Sequence, residues 1–350
     1  MGRTKIEYVT DSWNPIIGCS HAGSPGCDNC YAASLAATRL KHHPRYEGLA
    51  EIRDGVIQWT DGIRHIGTAL YEPLRARKPR RYLVCSMGDL FHEAVAPVFL
   101  EEVFAVMAEA SQHTFLVLTK RPVAMARFAA RMMALKEETR NGALWGITWP
   151  PPNVYFGVTV ETQAQMWRVY ELRKIVAAGH WVSAEPCLGP LDFHFGKAVC
   201  YCRGSMSKLN GPSVEPDWEI HGRHCPECNS DRPIIELDLV VLGGETGPGA
   251  RPMHPDWARK VKNDCVAAGI PFWFKQWGQW RPAECWGEAQ YSTAAKHIWP
   301  RSETRDTTHF FNLHEGIMMR VGKKPAGHLL DGEEWNQLPE RLRLPEEKEG

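Results

Sequence analysis

The chain has 350 residues, 43% apolar and 23% charged, and its 41 lysines and arginines balance 41 aspartates and glutamates. That length suits one large domain or two ordinary ones of soluble composition, and zero net charge excludes a globally basic nucleic-acid binder while leaving a local basic face open. No apolar run reaches the roughly 18 residues of a membrane span and no apolar signal region opens the chain, so a cytoplasmic protein with no membrane partner and reduced cysteines is expected.

The first apolar run, Trp13–Gly18, feeds a glycine- and proline-rich loop bearing Cys19, Cys27 and Cys30, and a helical segment, Tyr31–Leu40, follows. Three thiolates within twelve residues of a turn-rich loop suit a metal centre better than a packing core. A structural zinc takes four protein ligands, so three cysteines leave one coordination position for an outside molecule, in a [4Fe–4S] cluster the open iron. His21 and Asp28 lie near enough in sequence to complete a zinc site instead, and a disulfide plus one buried thiol is the plain alternative.

Residues 43–79 are poorly periodic, with one helical stretch near Ile63–Ala76. Strand-like runs then alternate with helical patterns: Arg81–Ser86, a helix over Pro97–Ser111 with Phe99, Val103, Val106 and Met107 on one face, His113–Thr119, and a helix over Met125–Leu135. Asn153–Val160, a helix over Thr162–Ala178, Trp181–Ala184, Leu237–Leu242, a helix over Pro255–Ala268 and Pro271–Gln276 complete the series. Strands apolar on both faces and separated by helices indicate a parallel sheet under helices, and six or seven such units favour a full or partial βα-barrel over an open sheet.

Two segments break the rhythm, dividing the chain into a first barrel part (1–195), an inserted module (196–236), the rest of the barrel (237–283) and a C-terminal extension (284–350). The insert, poor in apolar residues, reads Cys200-x-Cys202, twenty-two residues, Cys225-x-x-Cys228, with His221 and His224 beside it. Four thiolates in zinc-ribbon-like spacing complete a tetrahedral zinc shell able to fold such a segment; an auxiliary iron–sulfur cluster or no metal are the alternatives. In the extension Gly322–Gly332 is turn-like, a short helix is expected near Glu333–Arg341, and the final PEEKEG reads as disordered.

Reactive groups of a βα-barrel lie at the C-terminal strand ends. Here those ends carry Cys19, Ser86–Asp89, Lys120–Arg121, Glu161, Glu185, Gly243–Glu245 and Lys275–Gln276, a repetition that indicates a shared polar cavity. Lys120, Glu161, Glu185, Glu245 and Lys275 are the candidate catalytic groups; Ser86, Met87, Gly88, Asp89, Gly243 and Gly244 are candidates for holding a cofactor. The glycines of Gly243–Pro252 suit either a phosphate cradle or a tight strand-to-helix turn, without the P-loop lysine or the G-x-G-x-x-G spacing. Arg251 can pair with Glu245 or with substrate; His92, His113 and His254 read as structural, and Cys85, Cys187 and Cys265 as small buried hydrophobes. Trp273, Trp277 and Trp280 suit stacking of a base or adenine, or ordinary packing.

In order, TKIEYVTDSWNPIIGCS, SPGCDNCYA, SMGDLFHE, HTFLVLTKRP, NVYFGVTVET, WVSAEPCLGPLD, VVLGGETGPGARPMHPDW, PFWFKQWGQW and VGKKPAGHLLDG cover residues 4–332. This set resembles the phage- and prophage-borne three-cysteine-motif proteins, a radical-SAM-like family classed as a domain of unknown function. The resemblance implies a radical-SAM-type barrel, a [4Fe–4S] cluster on Cys19, Cys27 and Cys30, and reductive cleavage of S-adenosylmethionine to a 5′-deoxyadenosyl radical. It also implies an electron donor such as flavodoxin or ferredoxin and, through the phage setting, a nucleic-acid or nucleotide substrate. Ser86–Asp89 stands where that superfamily binds the methionine amino group, with Asp89 facing the ammonium. Two departures accompany it: seven residues separate Cys19 from Cys27 where three are usual, and Asn29 replaces an aromatic before the last cysteine. The GGE triplet sits at the sixth strand and not the second, so the amino-group role is not given to it. Two other classes compete: a zinc-holding nucleic-acid binder without catalysis, and a metal-dependent hydrolase or nuclease using Asp89, Glu161, Glu185 and Glu245, for which no compact carboxylate–histidine motif exists.

Overall fold

Parallel strands need crossovers, and the chain supplies helices between its apolar runs. In the computed structural model, which describes residues 2–135, 146–195, 236–282, 310–313 and 316–348, seven strands lie parallel in chain order. They are β1 (Asp11–Trp13), β2 (Arg81–Val84), β3 (Thr114–Thr119) and β4 (Val154–Thr159), then β5 (Gly179–Ala184), β6 (Leu239–Gly243) and β7 (Phe272–Gln276). Helices α1 (Tyr31–Ala37), α2 (Pro97–Glu109), α3 (Pro122–Ala134) and α4 (Trp167–Arg173) follow the first four strands, and α5 (Pro255–Ala268) follows β6.

The two edge strands do not meet. Gly2–Arg3 pairs antiparallel with β1, and the C-terminal segment covers β7 through Phe274 N–H to Trp335 O (2.7 Å) and Gln337 N–H to Phe272 O (3.1 Å). The sheet is thus a half-barrel, the partial form of the expected architecture. Its outer face carries the main core, in which Val84, Val117, Phe156, Val182 and Leu242 pack beneath helices that include α2, with Phe99, Val103, Val106 and Met107 all buried.

Strand alternation orders the inner face into rows. Leu83, Leu116, Tyr155 and Gly179 are in register, and so are Leu118, Gly157, Trp181 and Leu239. The large aromatics lie over glycines of the next strand: a Cβ on Gly157 would stand 2.3 Å from the Trp181 indole. Tyr8 and Leu342 pack against this floor. The next row mixes Thr159, Ser183, Val241 and Trp273. Lys120, which follows the Thr119–Val158 pair, joins that row, and two residues further along the later strands stand Glu161, Glu185, Gly243 and Lys275. Polarity therefore rises towards the C-terminal end.

The helical stretch expected near Ile63–Ala76 is present as two short helices, Gly67–Leu70 and Glu72–Arg75; one local expectation is extended and two are corrected. Residues 43–79 contain a hairpin, Ala50–Arg53 with Val56–Trp59, closed by Asp54 and Gly55 at φ 50° and 79°; Asp-Gly supplies the positive φ of a tight hairpin turn. The expected helix near Glu333–Arg341 is instead a strand pair, Leu329–Leu330 with Glu333–Glu334, and a 3₁₀ turn at Glu340–Leu342. The tail is ordered as one helical turn, Pro345–Lys348, because buried Arg81 donates to Glu347 at 2.9 and 3.2 Å and to Leu342 O at 2.7 Å. Cys200, Cys202, Cys225 and Cys228, with the module boundaries, lie outside the described residues. Among the described residues no helix is long and apolar enough to cross a membrane.

Candidate cluster cavity

The charged row opens into a cavity of about 1120 Å³ at the C-terminal strand ends, bordered by Cys19, Cys27 and Cys30. All three thiols are free and half-buried. Two consecutive residues at the end of β3 reach two of them. Lys120 Nζ lies 3.6 Å from Cys27 Sγ, and an Arg121 guanidinium nitrogen lies 3.5 Å from Cys19 Sγ. Burial, with Asp89 adding to it, pushes the Cys19 thiol up to about 12 against the opposing pull of Arg121. Metal binding at Cys19 therefore has to displace a proton.

Each cation is held from behind. Burial works to lower Lys120, but Glu161 and the Cys27 sulfur raise it on balance. Glu161, fully buried, accepts from Lys120 Nζ at 2.6 Å, Ser24 Oγ at 2.5 Å and Arg168 at 3.0 Å. The Ser24 contact ties the cysteine loop to β4. Gly26 makes that approach sterically feasible, since a Cβ there would stand 2.7 Å from Glu161 Oε1. Arg121 donates to Asp89 (3.1 Å), Glu93 (3.0 Å) and Ser20 Oγ (2.6 Å).

The loop's other flank is clasped by the segment after β6. Arg251 forks onto Glu245 at 2.6 and 2.8 Å and donates to Pro25 O at 2.7 Å. Asn29 donates to Glu245 at 3.2 Å and to Gly249 O at 2.8 Å. The residue that departs from the usual aromatic thus bridges two loops. This segment is a tight turn: the Arg251 amide closes it on Glu245, and the Gly244 amide ties it to β7 through Gln276 O. Gly244 and Glu245 border the cavity, while Gly243 sits beneath the Glu185–Lys275 pair.

Ser86, Met87, Gly88 and Asp89 also border the cavity. Asn14 orders that loop, accepting from the Met87 amide at 2.9 Å and facing Ser86 Oγ at 3.3 Å, and the Tyr31 hydroxyl donates to Ser86 O at 2.5 Å. Asp89 already accepts from Thr119 Oγ1 (2.6 Å), the Phe91 amide (3.0 Å), the Lys120 amide (3.2 Å) and Arg121 (3.1 Å). Its four hydrogen bonds fill a carboxylate's lone-pair directions. On the far wall Lys275 Nζ meets Glu185 at 2.6 Å.

All four candidate carboxylates are therefore paired with cations: Asp89 with Arg121, Glu161 with Lys120 and Arg168, Glu185 with Lys275, Glu245 with Arg251. His21 and Asp28 bond to each other at 3.0 Å on the exposed rim. Among the described residues no three His, Cys, Asp or Glu side chains converge on a single-ion site. A cubane cluster takes each thiolate on a different iron, so its ligands ring a space and do not meet at a point. Three soft donors around one cavity, two of them beside cations, fit such a cluster with one open iron.

The remaining candidates fall elsewhere. The Trp277 and Trp280 indoles are buried and donate to Leu329 O and Ala250 O, and Trp273 packs on the sheet floor, so of the two expected roles these residues take packing. His92 and His113 are buried and hydrogen-bonded, and His254 caps α5. Cys85, Cys187 and Cys265 are buried. Sequence reasoning gave no role to Arg168, Ser24 or Asn14, although Ser24 opens SPGCDNCYA and Asn14 lies in TKIEYVTDSWNPIIGCS.

A family model described as "Protein of unknown function (DUF5131)" matches residues 3–339. Among solved structures the chain is similar to a spore photoproduct lyase in which a cysteine is replaced by serine, at 9% identity and a TM-score of 0.36, covering 91% of this chain and 70% of that one. A likeness that distant carries no argument. No curated protein matches the chain.

Proposed function

The chain belongs to the DUF5131 family, and starting from that membership we propose a radical S-adenosylmethionine-type iron–sulfur enzyme whose substrate is related to nucleic acid or nucleotides. One observation carries the reading: three free thiols border a single cavity at the C-terminal ends of a parallel half-barrel, with Lys120 and Arg121 directed at two of the sulfurs. The substrate class rests on the phage and prophage resemblance.

Cys19, Cys27 and Cys30 would hold the [4Fe–4S] cluster and leave one iron for S-adenosylmethionine. When bound and reduced by a flavodoxin- or ferredoxin-like donor, the cluster supplies the electron that cleaves S-adenosylmethionine to methionine and a 5′-deoxyadenosyl radical. Lys120 and Arg121 offset the thiolates' negative charge. The Ser86–Gly88 backbone, ordered by Asn14 and Tyr31, offers the polar edge beside the thiols for the methionine ammonium. Asp89 serves there as the anchor of Arg121, its own lone pairs being taken. Glu185 and Lys275, opposite, can exchange a proton with substrate, while the Ala50–Trp59 hairpin walls the cavity from water.

A hydrolase or nuclease needs carboxylates open to a metal, and the cation pairing of all four disfavours it. Structural zinc at Cys200, Cys202, Cys225 and Cys228 remains a separate proposal, tested by metal analysis of a Cys19/Cys27/Cys30 triple-alanine variant. For the main reading, anaerobically reconstituted protein is mixed with S-adenosylmethionine and dithionite and chromatographed for 5′-deoxyadenosine. Product above a dithionite-free control is expected. None from protein with a full cluster would overturn radical generation.

A further inference from the structure

A thiolate-bound cluster's reduction potential depends on its charge and on hydrogen bonds to its sulfurs. Lys120 and Arg121 each aim an N–H donor at a different cysteine of the loop, at 3.6 and 3.5 Å. Neither is a solvated surface cation: their side chains are 21% and 13% exposed. Both are also oriented from the side away from sulfur. Glu161 anchors Lys120 at 2.6 Å, and Asp89 and Glu93 anchor Arg121 at 3.1 and 3.0 Å.

Their charge balance differs. Arg121 faces two carboxylates. Lys120 shares the single carboxylate of Glu161 with Arg168, which lies 3.0 Å from it and is 2% exposed. Two cations on one buried carboxylate leave a net positive charge, and the sulfur that Lys120 faces is Cys27. If Lys120 only neutralised Glu161, Arg168 would make it redundant.

We infer that Lys120 and Arg121 are positioning residues that raise the reduction potential of the cluster held by Cys19, Cys27 and Cys30, Lys120 more than Arg121. The inference rests on the cluster reading above. Reduction adds one electron from an outside low-potential donor and no proton, so the site gains one negative charge and the sulfurs become better acceptors. A cationic donor stabilises the reduced form more than the oxidised one.

The test is a dithionite-poised redox titration of anaerobically reconstituted protein, without S-adenosylmethionine, followed by the paramagnetic resonance of the reduced cluster. At the wild-type midpoint, Lys120→Gln should lower the reduced-to-oxidised ratio about tenfold, a downward shift of about 59 mV for one electron. Arg121→Gln should lower it less, and Lys120→Arg should restore it. If Lys120→Gln does not fold, Arg121→Gln decides alone, because Asp89 keeps its Thr119, Phe91 and Lys120 donors there. A wild-type midpoint in the glutamine variants at full iron content would overturn the inference and spare the cluster. Loss of the cluster from both would also overturn it, assigning the pair to cluster retention. Wild-type protein that takes up no cluster would overturn the functional reading and this inference together.

Discussion

The two ends of the half-barrel are built on the same seven strands and the same alternation, yet they do opposite work. At the N-terminal end the inner rows are Leu83, Leu116, Tyr155 and Trp181, plugged by Tyr8 and Leu342, and the aromatics fill space that Gly157 and Gly179 leave free. At the C-terminal end the same strands carry Lys120, Glu161, Glu185 and Lys275, joined in ion pairs, Lys120 with Glu161 between adjacent strands and Glu185 with Lys275 across β6. The first end is held by area buried, the second by charges that each lie against an opposite one because burial makes a lone charge costly, with the surplus at Glu161 facing Cys27. Only the second leaves an open cavity, and the thiols stand there.

Substitutions at each end should separate these roles. Trp181→Ala leaves a large void at the floor and should cost about 3–5 kcal/mol of stability in denaturant titration. Glu161→Ala strips Lys120 and Arg168 of their shared acceptor and should cost about as much, about 3–5 kcal/mol. The two diverge in iron content: at temperatures where both remain folded, Glu161→Ala should lose iron readily through the freed Ser24 contact, and Trp181→Ala should hold it. Equal retention would erase the distinction.

A smaller loss comes from the clasp. Arg251→Ala removes hydrogen bonds to Glu245 and Pro25 O, and a loss of about 1–3 kcal/mol is expected. Limited proteolysis should cut the 20–30 loop faster in that variant; an unchanged rate would mean the clasp holds nothing.

How far the sequence foretold this differs between the ends. The strands were legible because apolar runs flanked by glycine and charge leave little choice of period: six lie within two residues of the expected positions, while the first, Asp11–Trp13, shares only Trp13 with the expected run, whose Ile16–Ile17 pairs instead with Arg64–His65. The cavity was legible as a repetition of polar strand ends. Which charge meets which was not, since Asn29 and Gly249 or Glu185 and Lys275 are joined only by the closing of the sheet. The hairpin at 50–59 had its signal in Asp54-Gly55, hidden among mixed polarity. The tail's order depends on one buried arginine, Arg81, which no local pattern marks.

That tail gives the smallest expected effect. Burial raises the Glu347 carboxyl, but Arg81 and the Leu344 amide outweigh it and leave it below the usual carboxylate range. Its contribution is therefore complete above the ordinary glutamate value, near about 4.3, and is lost as pH falls through the lower folded-state value. Glu347 is partly exposed, so Glu347→Gln should cost under about 1 kcal/mol at neutral pH, with the gap from wild type closing in acid. A gap that widens in acid would reverse the sign.

The central claim is that Cys19, Cys27 and Cys30 hold an iron–sulfur cluster in the open end of the half-barrel. Iron and sulfide analysis with visible spectroscopy, on anaerobically reconstituted wild type and the three single alanine variants, tests it most directly. The account predicts brown protein with the iron and sulfide of one [4Fe–4S] cluster at this site, lost in each alanine variant. Stoichiometric zinc at the three cysteines without iron–sulfur absorption, or iron unchanged by all three substitutions, would contradict it.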